Sequence, residues 1–232
     1  CAFFELCYNR PMIKIINTNR MTRQPFFQAL INYLHQHQDV TLRQIKAAFE
    51  GEKNLDRQLD AYIEAGYIHR KNRRYQNAFR LLDSLDGLSL DQEIFVDTES
   101  ELFDQLKEIT FCQQMTNAIN DLVIEEDVDL MRERLTLNSY FYKMRTQEEL
   151  SEDQKKLYQI LGDVNPDYAL KYMTSFLLKF TRKDRVIQRR PDIFVEALKT
   201  LGFLEEVAPQ TYALTMEMDR EQLIFRKTKD EA

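Results

Sequence analysis

The chain is poor in the residues that interrupt regular structure. It has five glycines and five prolines among 232 residues, and it has no tryptophan. A sequence with so few of these residues has few irregular loops and favours helices. Its 44% of hydrophobic residues is enough to bury a globular core. We therefore expect a globular protein that is mainly α-helical.

Cysteines and long apolar runs are also scarce. The three cysteines, Cys1, Cys7 and Cys112, are odd in number and lack the spacing of a zinc site, which favours a reduced, cytoplasmic protein. No apolar run reaches the roughly 18 residues that span a bilayer, so no membrane association is expected. The first residues do not form a signal peptide pattern, although a processed lipoprotein also begins with cysteine. Met12 resembles a native start, which would make residues 1–11 an upstream extension.

Charge is distributed unevenly along the chain. The net charge is −6, yet residues 1–82 hold 13 Lys and Arg against 7 Asp and Glu. The remaining residues, 83–232, hold 19 basic and 31 acidic side chains. A basic first part joined to an acidic remainder indicates two regions with different electrostatic roles.

The basic part has the pattern of three short helices followed by a β-hairpin. Pro25 begins an apolar-periodic helix, Thr41 and Gln44 form a capping box for a second, and Asn54 is a suitable N-cap for a third. Gly66 ends the third helix, and two short strands then flank residues 71–72. This order is typical of a winged helix-turn-helix, in which the hairpin is the wing. We predict a winged-helix domain at residues 12–82.

The rest of the chain is expected to be a connector followed by helices. Residues 83–97 have no periodic pattern and predict the connector. Residues 98–232 predict a helical middle, with helices from a capping box at Thr98 to about Met115, from about Asp127 to Met144, from Ser151 to Leu161, and from Asn165 to Phe180.

The end of the chain resembles the start. The segment 195–204 repeats the helix, closing glycine and aromatic-aliphatic strand of 59–68, with Gly202 at the position of Gly66. We expect a C-terminal helix plus β-hairpin that is either a second winged-helix-like unit or a chance likeness, since junctions of this kind recur.

The predicted wing carries the most distinctive local cluster. It concentrates His69, Arg70, Lys71, Arg73 and Arg74 in six residues. Such a hairpin can lay cations along phosphates, and the alternative is a solvated edge that resists aggregation. We favour nucleic-acid contact.

The third helix gives weaker support. Its exposed positions include three carboxylates, which repel phosphate, although Asn54, Arg57 and Gln58 at its N-terminal end could reach bases. Arg43 and Lys46 of the second helix could contact the DNA backbone. These charges predict binding to double-stranded DNA with little sequence specificity, or to an acidic protein surface. The acidic pair Glu205–Glu206 on the far hairpin provides one such surface, so a homodimer is also open. A second basic cluster, from Arg182 to Arg190, is more typical of a solvated linker.

Signals of catalysis are thin. His35 and His37 could hold a metal only with a third ligand, which spacing does not supply. The acidic run 125–129 lacks the glycine and spacing of a calcium loop, and no phosphate-binding loop or nucleophile motif is present. We expect no enzyme, no cofactor and no metal site.

The N-terminal motifs carry a family resemblance. With Met12-Ile-Lys-Ile-Ile, Thr22-Arg-Gln-Pro-Phe-Phe27, Thr41-Leu-Arg-Gln-Ile45 and Asn54-Leu-Asp-Arg57, the chain resembles a small family from lactic-acid bacteria described as domain of unknown function 1803. The resemblance is firmest from Met12 to about Phe79, and residues 1–11 have no counterpart in it. It implies no activity, cofactor or site residue. The sequence therefore predicts a non-catalytic winged-helix protein that binds DNA in a regulatory role, or else a protein-interaction module or scaffold.

Overall fold

A computed structural model describes residues 12–227, and the predicted extension at residues 1–11 lies outside this range. The chain divides into two compact units, the first ending at Glu108 and the second beginning at Ile109. Helices account for 37% and strands for 23% of the structure, and the strands form four sheets. The expectation of a mainly α-helical protein is therefore wrong, because the fold mixes α-helices and β-sheets.

The described part of the first unit, residues 12–108, contains four α-helices and five strands. In chain order they are β1 (Ile13–Ile16), α1 (Pro25–Gln36), β2 (Val40–Thr41), α2 (Leu42–Ala48), α3 (Leu55–Glu64), β3 (Ile68–Lys71), β4 (Arg74–Asn77), β5 (Ile94–Asp97) and α4 (Glu101–Leu106).

The helices of this unit begin where local sequence chemistry directs them. Pro25 occupies the first position of α1, where its missing N–H needs no partner. Thr41 and Gln44 satisfy each other's backbone N–H groups in a capping box at the start of α2. Asn54 precedes α3 in a left-handed conformation, and its side chain makes no capping bond.

Helices α1 to α3 and the strands β2 to β4 share one core. The strands form an antiparallel sheet in the order β2-β4-β3, in which Tyr75 of β4 pairs with Val40 of β2. Both side chains are buried with Phe27, Leu30 and Ile45 of the helices. The side chain of Asn77 also donates to the carbonyl of Ile31 at 2.9 Å, which fixes the sheet against α1.

The segment 83–97, expected as a connector, includes a strand. β5 pairs antiparallel with β1, so that Ile13 lies opposite Asp97. Asn32 of α1 accepts a hydrogen bond from the Ile13 N–H at 2.8 Å and attaches β1 to the helix. Glu93, just before β5, accepts hydrogen bonds from Thr22 (2.6 Å) and from the hydroxyl of Tyr67 (2.7 Å). These bonds connect the start of α1 to the end of α3.

Within residues 109–227, the second unit contains four α-helices, a 3₁₀ helix and seven strands. In chain order they are β6 (Thr110–Met115), β7 (Val123–Asp129), α5 (Leu137–Thr146), α6 (Glu152–Leu161), α7 (Pro166–Leu177), the 3₁₀ helix (Leu178–Thr181), β8 (Arg185–Ile187), α8 (Ile193–Thr200), β9 (Leu204–Ala208), β10 (Thr211–Leu214), β11 (Glu217–Asp219) and β12 (Ile224–Arg226).

Two predicted helices of the middle region are wrong. The helix expected from Thr98 to about Met115 is only α4, since Thr110–Met115 is strand β6. The helix expected from Asp127 to Met144 begins ten residues later, at Leu137, since Val123–Asp129 is strand β7. β6 and β7 belong to a sheet in the order β11-β12-β7-β6, and β12 runs parallel to β7. The parallel partner lies about a hundred residues downstream, beyond the reach of local patterns.

Buried carboxylates of β7 bind this strand to strand β12 and to helix α5. Glu125 forms an ion pair with Arg226 of β12. The next residue, Glu126, accepts the backbone N–H groups of Leu137 (2.8 Å) and Asn138 (3.0 Å) at the start of α5. An anion at a helix N-terminus satisfies free donors and is favoured by the helix dipole. Burial nevertheless raises the pKa of Glu126 to about 7.

The second unit repeats the sheet of the first. Strands β8, β10 and β9 form an antiparallel sheet in the order β8-β10-β9, with Tyr212 of β10 paired with Val186 of β8. Both side chains are buried, as Tyr75 and Val40 are. At the end of α8, Gly202 has a left-handed φ of 72°, as Gly66 does after α3 with 83°. The two units differ in the segment that leads from the first strand of this sheet to the next long helix. Between β2 and α3, residues 41–54 contain α2, whereas residues 187–192, between β8 and α8, contain no helix.

The buried carboxyl of Glu126 gives a prediction about pH. Its pKa is about 7 in the folded chain and 4.5 ordinarily. The folded state therefore binds this proton more tightly, and its contribution to the free energy of unfolding rises as pH falls from about 7 towards 4.5. Relative to Glu126→Gln, the wild type should gain about 2 kcal/mol between pH ~8 and pH ~5.5, at about 1.4 kcal/mol per pKa unit.

Urea denaturation of both proteins at the two pH values measures this difference. The exposed substitution Glu221→Gln is the control and should give no such gain. An equal pH dependence of the wild type and Glu126→Gln would show that the carboxyl is not held in this environment.

Candidate nucleic-acid interface

The β3–β4 hairpin brings the predicted wing cations together. Lys71 pairs with Arg74 across the hairpin, which leaves Asn72 and Arg73 as a two-residue turn. Both turn residues have positive φ, 52° and 63°, as a type I′ turn requires. This turn follows the right-handed twist of the strands and fixes the register of the pair.

That register decides which side chains face away from the core. Side chains alternate between the two faces of a strand, so the burial of Ile68 and Tyr75 directs their neighbours outwards. The outward positions include His69 and Lys71 of β3 and Arg74 of β4. Among the described residues, Lys71 and Arg73 form no ion pair, so their charges are available to a ligand.

Two of the predicted arginines have partners within the hairpin region. The guanidinium of Arg74 donates to the backbone carbonyl of Asp39 at 3.0 Å and lies 3.8 Å from its carboxylate. Arg70 pairs with Tyr75, and its guanidinium lies 5.5 Å from the ring centre of that tyrosine. Arg74 therefore contributes to the fold, while the exposed Arg70 is orientated by a cation–π contact.

At the tip of the hairpin, Arg73 has a left-handed backbone conformation that is unfavourable for arginine. Asparagine adopts positive φ readily, whereas arginine does so at a cost. Glycine is the usual residue at the second turn position, yet Arg73 occupies it. Strained residues of this kind often lie at binding sites, where the side chain has a role that offsets the strain.

The predicted residues of the two helices lie around the turn between α2 and α3. Lys46, Asn54 and Arg57 line one shallow depression at this turn. Lys46 forms an ion pair with Asp56 at 2.7 Å. The two side chains are 50% and 62% exposed. Such a surface pair contributes little free energy, so a phosphate can compete for Lys46. Arg43 is exposed on α2.

Gln58, in contrast, is held by the protein itself. Its amide nitrogen donates to the carboxylate of Glu52 and to the carbonyl of Lys53, both at 2.8 Å. Its amide oxygen accepts the hydroxyl of Tyr62 at 3.1 Å. Reading a base would require the side chain to give up these three bonds. Asn54 and Arg57 have no such hydrogen bonds among the described residues.

Helix α3 presents carboxylates beside this turn. Asp56, Asp60 and Glu64 recur every four residues, so they form one stripe along the exposed side of the helix. A phosphate backbone is repelled by this stripe and attracted by the hairpin. The hairpin and α2 are therefore the better place for contact with a polyanion, whereas the stripe suits a basic surface.

Sequence reasoning missed the part that Asp39 plays at this site. Asp39 has a left-handed φ of 65° in the turn before β2, and it accepts the Arg74 guanidinium through its carbonyl. Both residues are adjacent in space because β2 pairs with β4, and β2 is too short for a periodic signal. The partly buried hydrogen bonds of Glu93 were also missed, because its partners Thr22 and Tyr67 are distant in sequence.

Two other kinds of site are absent from residues 12–227. No helix in this range is both long and apolar enough to cross a bilayer. The His, Cys, Asp and Glu side chains of the same range nowhere gather in a group of three that could hold a metal ion. The thiol of Cys112 is exposed on β6.

Comparison with known proteins gives one match. Neither a curated protein nor a solved structure matches the chain. A family model described as "Domain of unknown function (DUF1803)" matches residues 13–109. The matched range covers β1 to α4, which includes the hairpin and both helices of the candidate interface. This match confirms the family resemblance of the N-terminal motifs over residues 13–109.

Proposed function

We propose that residues 25–80 act as a non-catalytic winged-helix module that binds double-stranded DNA through its basic hairpin, in a regulatory role. The observation that carries this proposal is the hairpin itself. It presents Arg70, Lys71 and Arg73 to solvent without an ion pair among the described residues, and it places an arginine in a left-handed conformation at its tip.

The charges favour contact with phosphates over reading of bases. Cations on a hairpin can follow a DNA backbone, and each phosphate they neutralise releases counterions. Arg43 of α2, together with Lys46 once its pair with Asp56 opens, supplies further cations. Recognition of bases by α3 is disfavoured for two reasons. The side chain of Gln58 is hydrogen-bonded within the protein, and the carboxylate stripe repels the phosphates of the DNA. We therefore infer weakly sequence-specific binding.

An alternative proposal is a protein-interaction module. The stripe of Asp56, Asp60 and Glu64 favours it, because carboxylates beside a basic hairpin suit a partner protein that carries both signs of charge. The two proposals differ in their dependence on DNA and can be separated by one titration.

The first prediction concerns affinity for DNA and its dependence on salt. The full chain should bind a labelled duplex of mixed sequence, and the logarithm of its affinity should fall linearly with the logarithm of salt concentration. A triple variant, Arg70→Ala, Lys71→Ala and Arg73→Ala, should bind more weakly, with a slope smaller by up to about 3, since each lost phosphate contact removes roughly 0.9. Fluorescence anisotropy between about 50 and 200 mM salt measures both quantities.

The matched control removes the same charge elsewhere. Lys107, Lys155 and Lys156 are exposed by 47%, 46% and 68% and lie outside the hairpin. Their triple alanine variant should keep nearly the wild-type slope. If the wild type fails to bind at about 50 mM salt, the DNA proposal is overturned and the protein-interaction module takes its place.

The second prediction uses the strain at the hairpin tip. Arg73→Gly should raise the free energy of unfolding by about 1 kcal/mol, because glycine adopts positive φ without the cost that arginine bears. The same substitution should weaken DNA binding, because it removes a cation. Asn72→Gly is the matched control, and it should leave DNA binding unchanged and stability within about 0.5 kcal/mol.

Urea denaturation and the DNA titration provide the two readings. If the Arg73→Gly variant is more stable and its affinity for DNA equals that of the wild type, Arg73 does not contribute to DNA binding.

A further inference from the structure

An aromatic patch on the second unit is exposed to solvent. Tyr168 and Tyr172 of α7 are 51% and 39% exposed, and Ile193 at the start of α8 is 50% exposed. The rings form one continuous surface, because Tyr172 stacks on Phe194 at 5.2 Å and lies 4.7 Å from Tyr168. Tyrosine is enriched in the centres of protein interfaces, where it contributes a large area at low entropic cost.

The repeat between the two units explains why this patch is open. Val40 and Val186 occupy equivalent positions in the two sheets. When residues are numbered backwards from these two valines, the buried positions of α1 coincide with those of α7 and the following 3₁₀ helix. Phe26 of α1 then corresponds to Tyr172 of α7. In the first unit, the ring of Phe49 at the end of α2 lies 5.2 Å from Phe26 and covers it, leaving it 8% exposed.

The second unit has no counterpart of that cover. Residues 187–192 lead from β8 directly into α8 and contain neither a helix nor an aromatic side chain. Phe194 of α8 covers one face of Tyr172 and leaves the rest of the ring exposed. The patch is therefore a core position of the repeated module that has lost its covering helix.

The charges on α7 indicate what covers the patch. Asp167 and Lys171 lie beside the two tyrosines with the same four-residue spacing, so they form a parallel stripe of opposite charges. Neither forms an ion pair with a described residue. When two copies of such a helix pack antiparallel, the same flank of each helix meets the other. Tyr168 then faces Tyr172 of the second copy, and Asp167 comes close to Lys171 of the second copy.

We propose that the aromatic face of α7 and α8, formed by Tyr168, Tyr172 and Ile193, is a self-association surface that pairs two copies of this chain about a two-fold axis. The face complements itself in charge, as an interface between identical surfaces requires. Its small area predicts a weak dimer, with a dissociation constant on the order of micromolar. The proposed surface lies on the second unit alone, and the inference is independent of DNA binding.

Sedimentation velocity between about 0.1 and 100 μM tests this surface, since the range extends at least tenfold below and above a dissociation constant on the order of micromolar. The full chain should pass from monomer to dimer within this range. Tyr172→Glu should remain monomeric, because it places a charge in the apolar centre of the interface. Tyr158→Glu is the matched control: Tyr158 is 41% exposed on α6, outside the patch, and its variant should dimerise as the wild type does. Thermal unfolding of each variant checks that the fold is retained.

A charge exchange tests the antiparallel arrangement separately. Lys171→Asp should raise the dissociation constant of the dimer about tenfold or more. The new carboxylate repels Asp167 of the other copy, and this contact occurs twice in the symmetric interface. The double variant Asp167→Lys with Lys171→Asp restores opposite charges and should recover the wild-type dissociation constant. The proposal is overturned if the wild type stays monomeric, if Tyr172→Glu still dimerises, or if the double variant fails to recover.

Discussion

The burial of Tyr75 against Val40 is the constraint on which the candidate interface depends. A one-residue slip of a strand would carry its whole buried set to the opposite face. The buried pair therefore fixes the register of β2, β4 and β3 together. Once Tyr75 points inwards, Arg74 must point outwards, and the two residues left between the strands become the turn. The cationic outer face is a consequence of how the core is filled.

The second unit has the same buried pair of tyrosine and valine, but its exposed surface carries different charges. Tyr212 and Val186 repeat the buried pair, and the strand order repeats with them. The residue opposite the tyrosine has changed in sign, from Arg70 in the first unit to Glu206 in the second. Glu206 is also engaged locally, since it accepts from Lys199 at 3.2 Å. The same arrangement of strands thus carries a cationic hairpin in one unit and an acidic, internally paired hairpin in the other.

Local signals in the sequence were sufficient for parts of this fold. The capping box of Thr41, the proline of α1 and the hairpin around Asn72 follow from neighbouring residues, and the structure has helices and strands there. Strand β7 could not be recognised, because its run of carboxylates is typical of a surface. Glu125 and Glu126 are buried only because Arg226 and the start of α5 satisfy them, and these partners are distant in sequence. Likewise, β1 and β5 become strands only by pairing across about 80 residues. For the candidate interface, the cluster of cations was visible, whereas the partners that hold Arg74 and Gln58 were not.

The balance of charges around α3 sets how the proposed DNA complex can form. At physiological salt, exposed charges act over roughly 8 Å, so the stripe of Asp56, Asp60 and Glu64 opposes any approach that lays α3 along a strand. The turn of the hairpin is exposed, so its cations can contact a phosphate without any contact by α3. An approach led by Arg73 at the tip is therefore the arrangement that the electrostatics favour. It also gives a reason for an arginine at a turn position where glycine would be less strained.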